Sequence, residues 1–270
     1  MAARIQTVAY NGIDVIPIEV QVSLTLGLPA FNIVGLADKA VSESKERVRS
    51  ALSAIGLALP AKRITVNLAP ADLNKEGSHY DLAIATSILV AMDVLDAEEL
   101  LNFIVMGELA LDGHLSSIHG VLPASVHALS QNMGLICPAQ QGSEALWAGD
   151  VDVLAPRTLL ELISHFKGKH LLNKPIRANL QKHKNSPPEI DMQEIKGQET
   201  AKRALEICAA GQHNLLMCGP PGAGKSMLAK ALSGILPPLD AREALEVSMI
   251  HSLGSHLPKE GIITERPFRS

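Results

Sequence analysis

The sequence predicts an α/β protein built in two parts, and three observations predict it. Through the first 165 residues, apolar side chains switch between a strand-like spacing of two and a helix-like spacing of three and four. A phosphate-loop pattern, Gly219-Pro220-Pro221-Gly222-Ala223-Gly224-Lys225-Ser226, stands between an apolar run and a helix-period segment. Between these parts lies a basic stretch that closes in Asn-Ser-Pro-Pro. The expected layout is an α+β amino-terminal domain at 1–166, a linker at 167–188 and a nucleotide-type α/β domain at 189–270.

Taken in order, the period-two stretch from Ile13 to Leu24 predicts an exposed-edge strand or one arm of a hairpin. A helix is expected from Ala40 to Ile55, where Val41, Val48, Ala51, Leu52 and Ile55 share a face. Glu43 and Arg47 are spaced there as an i,i+4 ion pair, and Gly56 stands where a helix C-terminus is expected. Ile64–Leu68 is a strand and Asp81–Met92 a strongly apolar helix. Phe103–Gly107 and Leu109–Val121 read as strands around an Asp112-Gly113 turn. Ala124–Gln131 is a further helix, Gly134–Pro138 a short strand and Thr158–Phe166 the last helix of this part.

Residues 167–188 carry Lys167, Lys169, Lys174, Arg177, Lys182 and Lys184 and no acidic residue. Such a stretch is a solvated tether or one that follows a nucleic-acid backbone. Limited proteolysis is expected to leave a core ending near residue 165.

In the phosphate loop, glycines let backbone N–H groups converge on phosphate oxygens, and a helix start adds unsatisfied donors and a positive dipole end. Leu215–Cys218 is expected to be the buried strand before the loop and Met227–Ile235 the helix after it. The pattern points to ATP with Mg²⁺: Lys225 against the β- and γ-phosphates, the Ser226 hydroxyl on the metal.

Composition narrows the field. The 270 residues are 47% apolar, enough for two cores, and the net charge of −4 gives no global basic field for nucleic acid. Four Phe, two Tyr and one Trp disfavour a base-stacking platform. Cys137, Cys208 and Cys218 are far apart and read as buried thiols in a reducing compartment rather than as a disulfide or zinc framework. No histidine pair has i,i+4 spacing, so the expected metal is the nucleotide's own Mg²⁺. No secretion-signal pattern opens the chain and no uncharged apolar stretch reaches about 18 residues, so a cytoplasmic protein without a membrane partner is expected.

Three segments carry a family resemblance: GLPAFNIVGLADKAVSESKERVRSAL at 27–52, KRITVNLAPADLNKEGSHYDLAIA at 62–85, and EIKGQETAKRALEICAAGQHNLLMCGPPGAGKSMLA at 194–229. Together they resemble the ComM/YifB family of magnesium-chelatase-like AAA+ ATPases. The resemblance implies an amino-terminal domain of Lon-protease, ribosomal-S5-like fold joined to a ring-forming, hexameric ATPase. It also implies a role in DNA processing, as branch migration or helicase action in natural transformation and recombination. Gly219, Pro220, Pro221, Gly222, Ala223, Gly224, Lys225, Ser226 and Met227 fall on the family's phosphate loop, and Ile195–Gln198 on the segment that brackets adenine. Read from the residues alone, Gln198 is equally a polar residue opening a helix from Glu199 to Ala210.

An ATPase of this kind also needs an acidic pair, a sensor group and an arginine finger. After the loop the acidic residues are Asp240, Glu243, Glu246, Glu260 and Glu265, and none closes an apolar strand. The expectation is a chain truncated within its ATPase domain that binds ATP and turns it over slowly, with a second part short of strands and partly unfolded. A non-enzymatic product that only associates through its amino-terminal domain, a magnesium-chelatase subunit and a Lon-like peptidase are the alternatives. For a peptidase, the resemblance places the nucleophile at His79, beside Ser78, and its lysine near 119–125, where there is none. Ser78 and Ser125 then read as loop or helix-start residues. Asp72, Glu76, His79 and Asp81 form either a metal or acid/base cluster or a set of local ion pairs with Lys62, Arg63 and Lys75. Trp147 reads as a packing residue.

Overall fold

A computed structural model describes residues 3–177, 190–254 and 262–268. The chain divides into two compact units, Met1–Ala178 with Ser248–Gly261, and Asn179–Val247 with Ile262–Ser270.

The first unit is organised by a hairpin. Strands β1 (Ala3–Asn11) and β2 (Asp14–Thr25) pair antiparallel around Gly12, whose φ of +60° suits the tight reversal. Next come β3 (Ala30–Val34), α1 (Lys39–Ala54), β4 (Arg63–Ala69), α2 (Asp81–Ala91), the short α3 (Ala97–Leu100) and β5 (Phe103–Val105). After these, β6 (Glu108–Leu109) and β7 (Leu115–Ser116) form a small ladder, followed by α4 (Val121–Ser130), β8 (Gly134–Ile136), α5 (Gly142–Ala145), β9 (Val153–Leu154) and α6 (Leu159–Phe166). Seven strands make one mixed sheet in the order β3-β4-β2-β1-β5-β8-β9. The class is therefore α/β, with antiparallel pairs at β1–β2 and β2–β4 and parallel pairs elsewhere in that sheet.

β2 is not an edge strand. It takes β1 on one side and β4 on the other, over Glu19–Thr25. Pro17, which cannot donate to a ladder, falls just short of the part that β4 reaches. Alternation then sorts the faces: Ile5 and Ala9 of β1 enter the core formed with α1 and α2, while Val8 enters a second core with Val121 and Ala124 of α4. α2 is buried from Asp81 to Val90, as expected of a helix that is apolar all round.

α1 shows how sequence sets an element's ends. The Asp38 carboxylate accepts the Val41 N–H at 2.7 Å as an N-cap. At the other end Gly56 has φ +81°, and the bonds Gly56 N–H to Ser53 O and Leu57 N–H to Leu52 O, 3.0 and 2.9 Å, close a Schellman motif. The expected Glu43–Arg47 pair is corrected: Glu43 meets Lys39, and Arg47 turns inward to Asp81. A buried carboxylate offers a guanidinium far more than a solvated glutamate does.

In the second unit, α7 (Glu199–Gly211) and α8 (Lys225–Ile235) follow a short 3₁₀ turn at Met192–Glu194, and α9 (Ala241–Leu253) starts there, its residues from Ser248 onward being grouped with the first unit. The buried cluster is small: Ile195, Leu205, Leu228 and Ala231. The expected strand at Leu215–Cys218 is not formed. Leu216 is 86% exposed and Cys218 is exposed as well, because the described residues of this unit contain no neighbouring strand to accept the ladder bonds. The expectation of three buried thiols is corrected accordingly: Cys137 is buried, Cys208 half-buried and Cys218 exposed. Among the described residues, no helix is long and apolar enough to cross a membrane. The linker residues 178–188, with Lys182 and Lys184, and also Glu260, Arg269 and Ser270, lie outside the described residues.

Candidate functional site

The phosphate loop folds as a turn that ends in a helix. Gly222 and Gly224 have φ of +80° and +82°, a region that a side chain would strain, and α8 begins at Lys225 directly after Gly224. The first helical bond runs from Leu228 N–H to Gly224 O at 3.0 Å. The N–H groups of Lys225, Ser226 and Met227 therefore have no partner within the helix and point out of its positive end. Lys225 curls over the loop: its Nζ donates to the carbonyls of Gly219 and Pro220, both at 2.9 Å. Ser226 is exposed beside it. Pro220 also accepts the Ala223 N–H at 3.4 Å, which shapes the turn between the two prolines and the last glycine. Geometry and chemistry fit a polyphosphate: a cation, a hydroxyl and three backbone donors without a partner in the helix are gathered at one exposed turn.

Gln198 stands at the start of α7 with φ +60°, is exposed, and makes no capping bond with its side chain. Farther along, Asp240 accepts the Glu243 N–H at 2.7 Å, Glu243 pairs with Arg266 at 2.9 Å, and Glu246 pairs with Arg242 at 2.9 Å. These three acids are engaged in the cap and ion pairs of α9.

The first unit gathers its polar residues around the start of α2. Asp81 is fully buried and receives Arg47 through two bonds, Nε at 2.6 Å and a terminal nitrogen at 3.0 Å, with the Leu109 N–H at 3.1 Å. Burial pushes the Asp81 carboxyl up, and the bonds and charge of the Arg47 guanidinium, which is always charged, oppose that rise. Lys75 is also buried, and its Nζ donates to the backbone carbonyls of Pro70 and Leu73 rather than to an acid. The expected ion pairing of Lys75 is thus corrected: the two carbonyls of the turn just before it, not a carboxylate, take up its ammonium hydrogens. Burial pushes the Lys75 ammonium down. Ser78 donates to the Glu108 carboxylate, and the Ser125 hydroxyl, buried inside α4 rather than at its start, donates to Ala145 O at 2.7 Å. His79 Nε2 meets Val8 O at 2.9 Å, and burial pulls its pKa down to about 4. Trp147 carries Arg177 on its face, 4.5 Å from ring centre to guanidinium carbon.

The Arg47–Asp81 lock was not visible in sequence, since 34 positions separate its partners; the only signal is an aspartate opening an otherwise apolar helix. The phosphate-loop residues, in contrast, are brought together because they are already neighbours in sequence.

Comparison with known proteins places these features. A family model described as subunit ChlI of Mg-chelatase matches residues 18–141, and a second, magnesium chelatase subunit ChlI, matches 191–270. The chain is 43% identical over 266 residues to the competence protein ComM of Haemophilus influenzae, covering 97% of this chain and 52% of that protein. It is 40% identical over 268 residues to the YifB protein of Salmonella typhimurium, covering 99% and 52%. The chain spans about half the length of these relatives. A shorter match, 41% identity over 64 residues, joins 24% of the chain to 9% of an archaeal Lon protease from Methanothermobacter thermautotrophicus. With chelatase models matched on either side of the linker and 40–43% identity to ComM and YifB over nearly the whole of this chain, the chain belongs to the ComM/YifB family of magnesium-chelatase-like proteins.

Proposed function

We propose that this chain binds Mg²⁺·ATP through residues 219–227. The observation that carries the reading is Lys225 Nζ, held at 2.9 Å over two loop carbonyls at the very start of α8. Lys225 exchanges those carbonyls for β- and γ-phosphate oxygens, Ser226 gives its hydroxyl to Mg²⁺, and the first-turn N–H groups, including that of Met227, bind the remaining oxygens. Held by Ser226 with the nucleotide, Mg²⁺ would supply neutralisation of the phosphate charge. Gln198 opens α7 close in sequence to Ile195 and is assigned to the nucleotide's base edge.

These 270 residues bind the nucleotide without fast hydrolysis. Asp240, Glu243 and Glu246 serve α9 rather than the orientation of water. The DNA-processing role, branch migration or helicase action in natural transformation and recombination, is proposed for the whole protein. It is supported by the 43% identity to a protein named for competence. Assembly as a hexameric ring, DNA as a partner, a cytoplasmic location and a domain layout of 1–166, 167–188 and 189–270 belong to the same proposal.

Titration calorimetry with Mg²⁺·ATP, alongside Lys225→Ala and with phosphate release followed on the same samples, tests it. The expected result is saturable binding that weakens about 10- to 100-fold in the variant, the worth of a charge-assisted contact, with turnover near background. Equal affinity in both proteins would remove the phosphate-loop assignment.

A further inference from the structure

A second site lies in the first unit and has the opposite chemistry. A cleft of about 970 Å³ is lined by Asp38, Glu76 and Glu108 together with Tyr10, Gly77, Ser78, His79 and Tyr80, and its lining contains no lysine or arginine. The nearby cations are engaged elsewhere: Arg47 is held by Asp81, and Lys75 points its ammonium at backbone carbonyls. Each carboxylate is oriented by a single kind of neighbour. Asp38 accepts the N–H groups of Val41 and Gly77 at 2.7 and 3.4 Å, Glu76 accepts the Asn74 amide at 2.7 Å, and Glu108 accepts the Ser78 hydroxyl. A carboxylate has about four lone-pair directions, so acceptor capacity remains on Glu76 and Glu108.

Two largely buried side chains of the lining each keep one polar atom without a hydrogen-bond partner among the described residues. His79 is 7% exposed, and its Nε2 lies 2.9 Å from the Val8 carbonyl. A carbonyl can only accept, so Nε2 carries the hydrogen and Nδ1 of the neutral ring presents a lone pair. Among the described residues Nδ1 has no hydrogen-bond partner. It faces Gly77, where a Cβ would come within 3.3 Å of it, and Gly77 is itself a wall of the cleft. The imidazole is fixed there by Tyr80, with centroids 4.1 Å apart, and by Tyr10 at 5.8 Å. The Tyr80 hydroxyl, buried, has no partner either among the described residues.

We propose that this cleft binds a cationic hydrogen-bond donor, an alkylammonium or guanidinium group of a basic peptide side chain or a free polyamine. Its acceptors are Glu76, Glu108 and His79 Nδ1, with Asp38 adding charge. Anions are repelled by three carboxylates. A single metal ion is poorly served, because among the described residues no three His, Cys, Asp or Glu side chains converge as ligands. An extended donor with several N–H groups matches acceptors spread along a wall.

The test uses the 270-residue protein and three probes: hexalysine, the same peptide with every Nε acetylated, and spermidine. Glu76→Gln/Glu108→Gln is compared with Glu98→Gln/Glu99→Gln, which neutralises two exposed acids on α3 and controls for the chain's overall negative charge. Hexalysine should bind, the acetylated peptide should not, and the cleft variant should weaken binding about tenfold or more while the α3 variant leaves it within about twofold. The ¹⁵N resonance of His79 Nδ1 should move on binding while Nε2 stays. Spermidine as strong as hexalysine assigns the site to free amines, and weaker spermidine assigns it to a protein's side chains; both uphold the chemistry. No binding of hexalysine, equal binding of the acetylated peptide, an equal loss in the two variants or a stationary Nδ1 resonance would overturn it. If the cleft variant fails to fold, the acetylated peptide and the resonance still decide.

Discussion

In the first unit a seven-stranded sheet holds two apolar cores and a buried ion pair, whereas the described residues of the second unit form helices around one small buried cluster of four side chains. The contrast separates two kinds of encoding. A feature written in consecutive residues, such as the positive-φ glycines and helix start at 219–226, takes its shape with few neighbours. A feature that depends on a distant partner, such as a strand at Leu215–Cys218, does not form where no ladder is offered. In the first unit the distant partners are present, and the apolar runs become strands and buried helices.

The sharpest way to break this comparison is to remove a distant partner from the first unit. Arg47→Met should cost about 3–5 kcal/mol, because it leaves the Asp81 carboxylate buried without its cation. Thermal or denaturant unfolding measures the loss, and Mg²⁺·ATP affinity, a property of the locally encoded loop, should stay within about twofold. A double change, Arg47→Met with Asp81→Leu, should recover much of the stability, since two apolar groups need no compensation. A stable single variant would show that water already serves Asp81.

A second test uses pH. His79 is held at a pKa of about 4 in the folded chain, below the ordinary value of 6.5, by burial. Between those values the unfolded chain binds a proton that the folded chain refuses, so stability is full above pH 6.5 and falls as the pH drops toward 4. The loss reaches on the order of 3 kcal/mol. The unfolding midpoint of the first unit, followed from pH 7.5 to 4.5, should slope accordingly, and His79→Gln should flatten that slope. An unchanged slope in the variant would assign the acid sensitivity to another group.

How much was legible follows the same division. The residues of α1 could be read because its apolar face, Asp38 cap and Gly56 are all local. β2 was readable as a strand through its alternation, and a hairpin arm was one of the two readings, but its place between β1 and β4 was not, because the β4 ladder over Glu19–Thr25 joins residues well separated in sequence. β1 was missed although it alternates, because Ala3, Thr7 and Ala9 give its inward face a weak apolar signal. β3 and β9 are too short, at five and two residues, to carry a period. Of the sites, the phosphate loop was complete in sequence. The cleft was not, since Asp38 before α1, His79 before α2 and Glu108 in β6 are far apart in sequence and share a lining only in the folded unit.

The smallest effect sharpens the comparison at two helix starts. In the first unit Asp38 caps α1 with its side chain, and Asp38→Ala should cost about 1 kcal/mol. In the second unit Gln198 opens α7 in the left-handed region, at φ +60°, with no capping bond from its side chain. That conformation costs a residue with a Cβ about 1–2 kcal/mol, of which glycine's greater freedom in the unfolded chain returns about half. Gln198→Gly should therefore stabilise the second unit by roughly 0.5 kcal/mol, while Asp38→Ala destabilises the first. Nucleotide affinity then decides why a strained glutamine stands there. If its side chain reaches the base edge of ATP, Gln198→Gly weakens Mg²⁺·ATP binding several-fold even as it steadies the helix, and stability and binding move in opposite directions. If the glutamine only opens the helix, affinity holds or rises with stability, and the assignment of Gln198 to the nucleotide falls while Lys225 and Ser226 keep theirs.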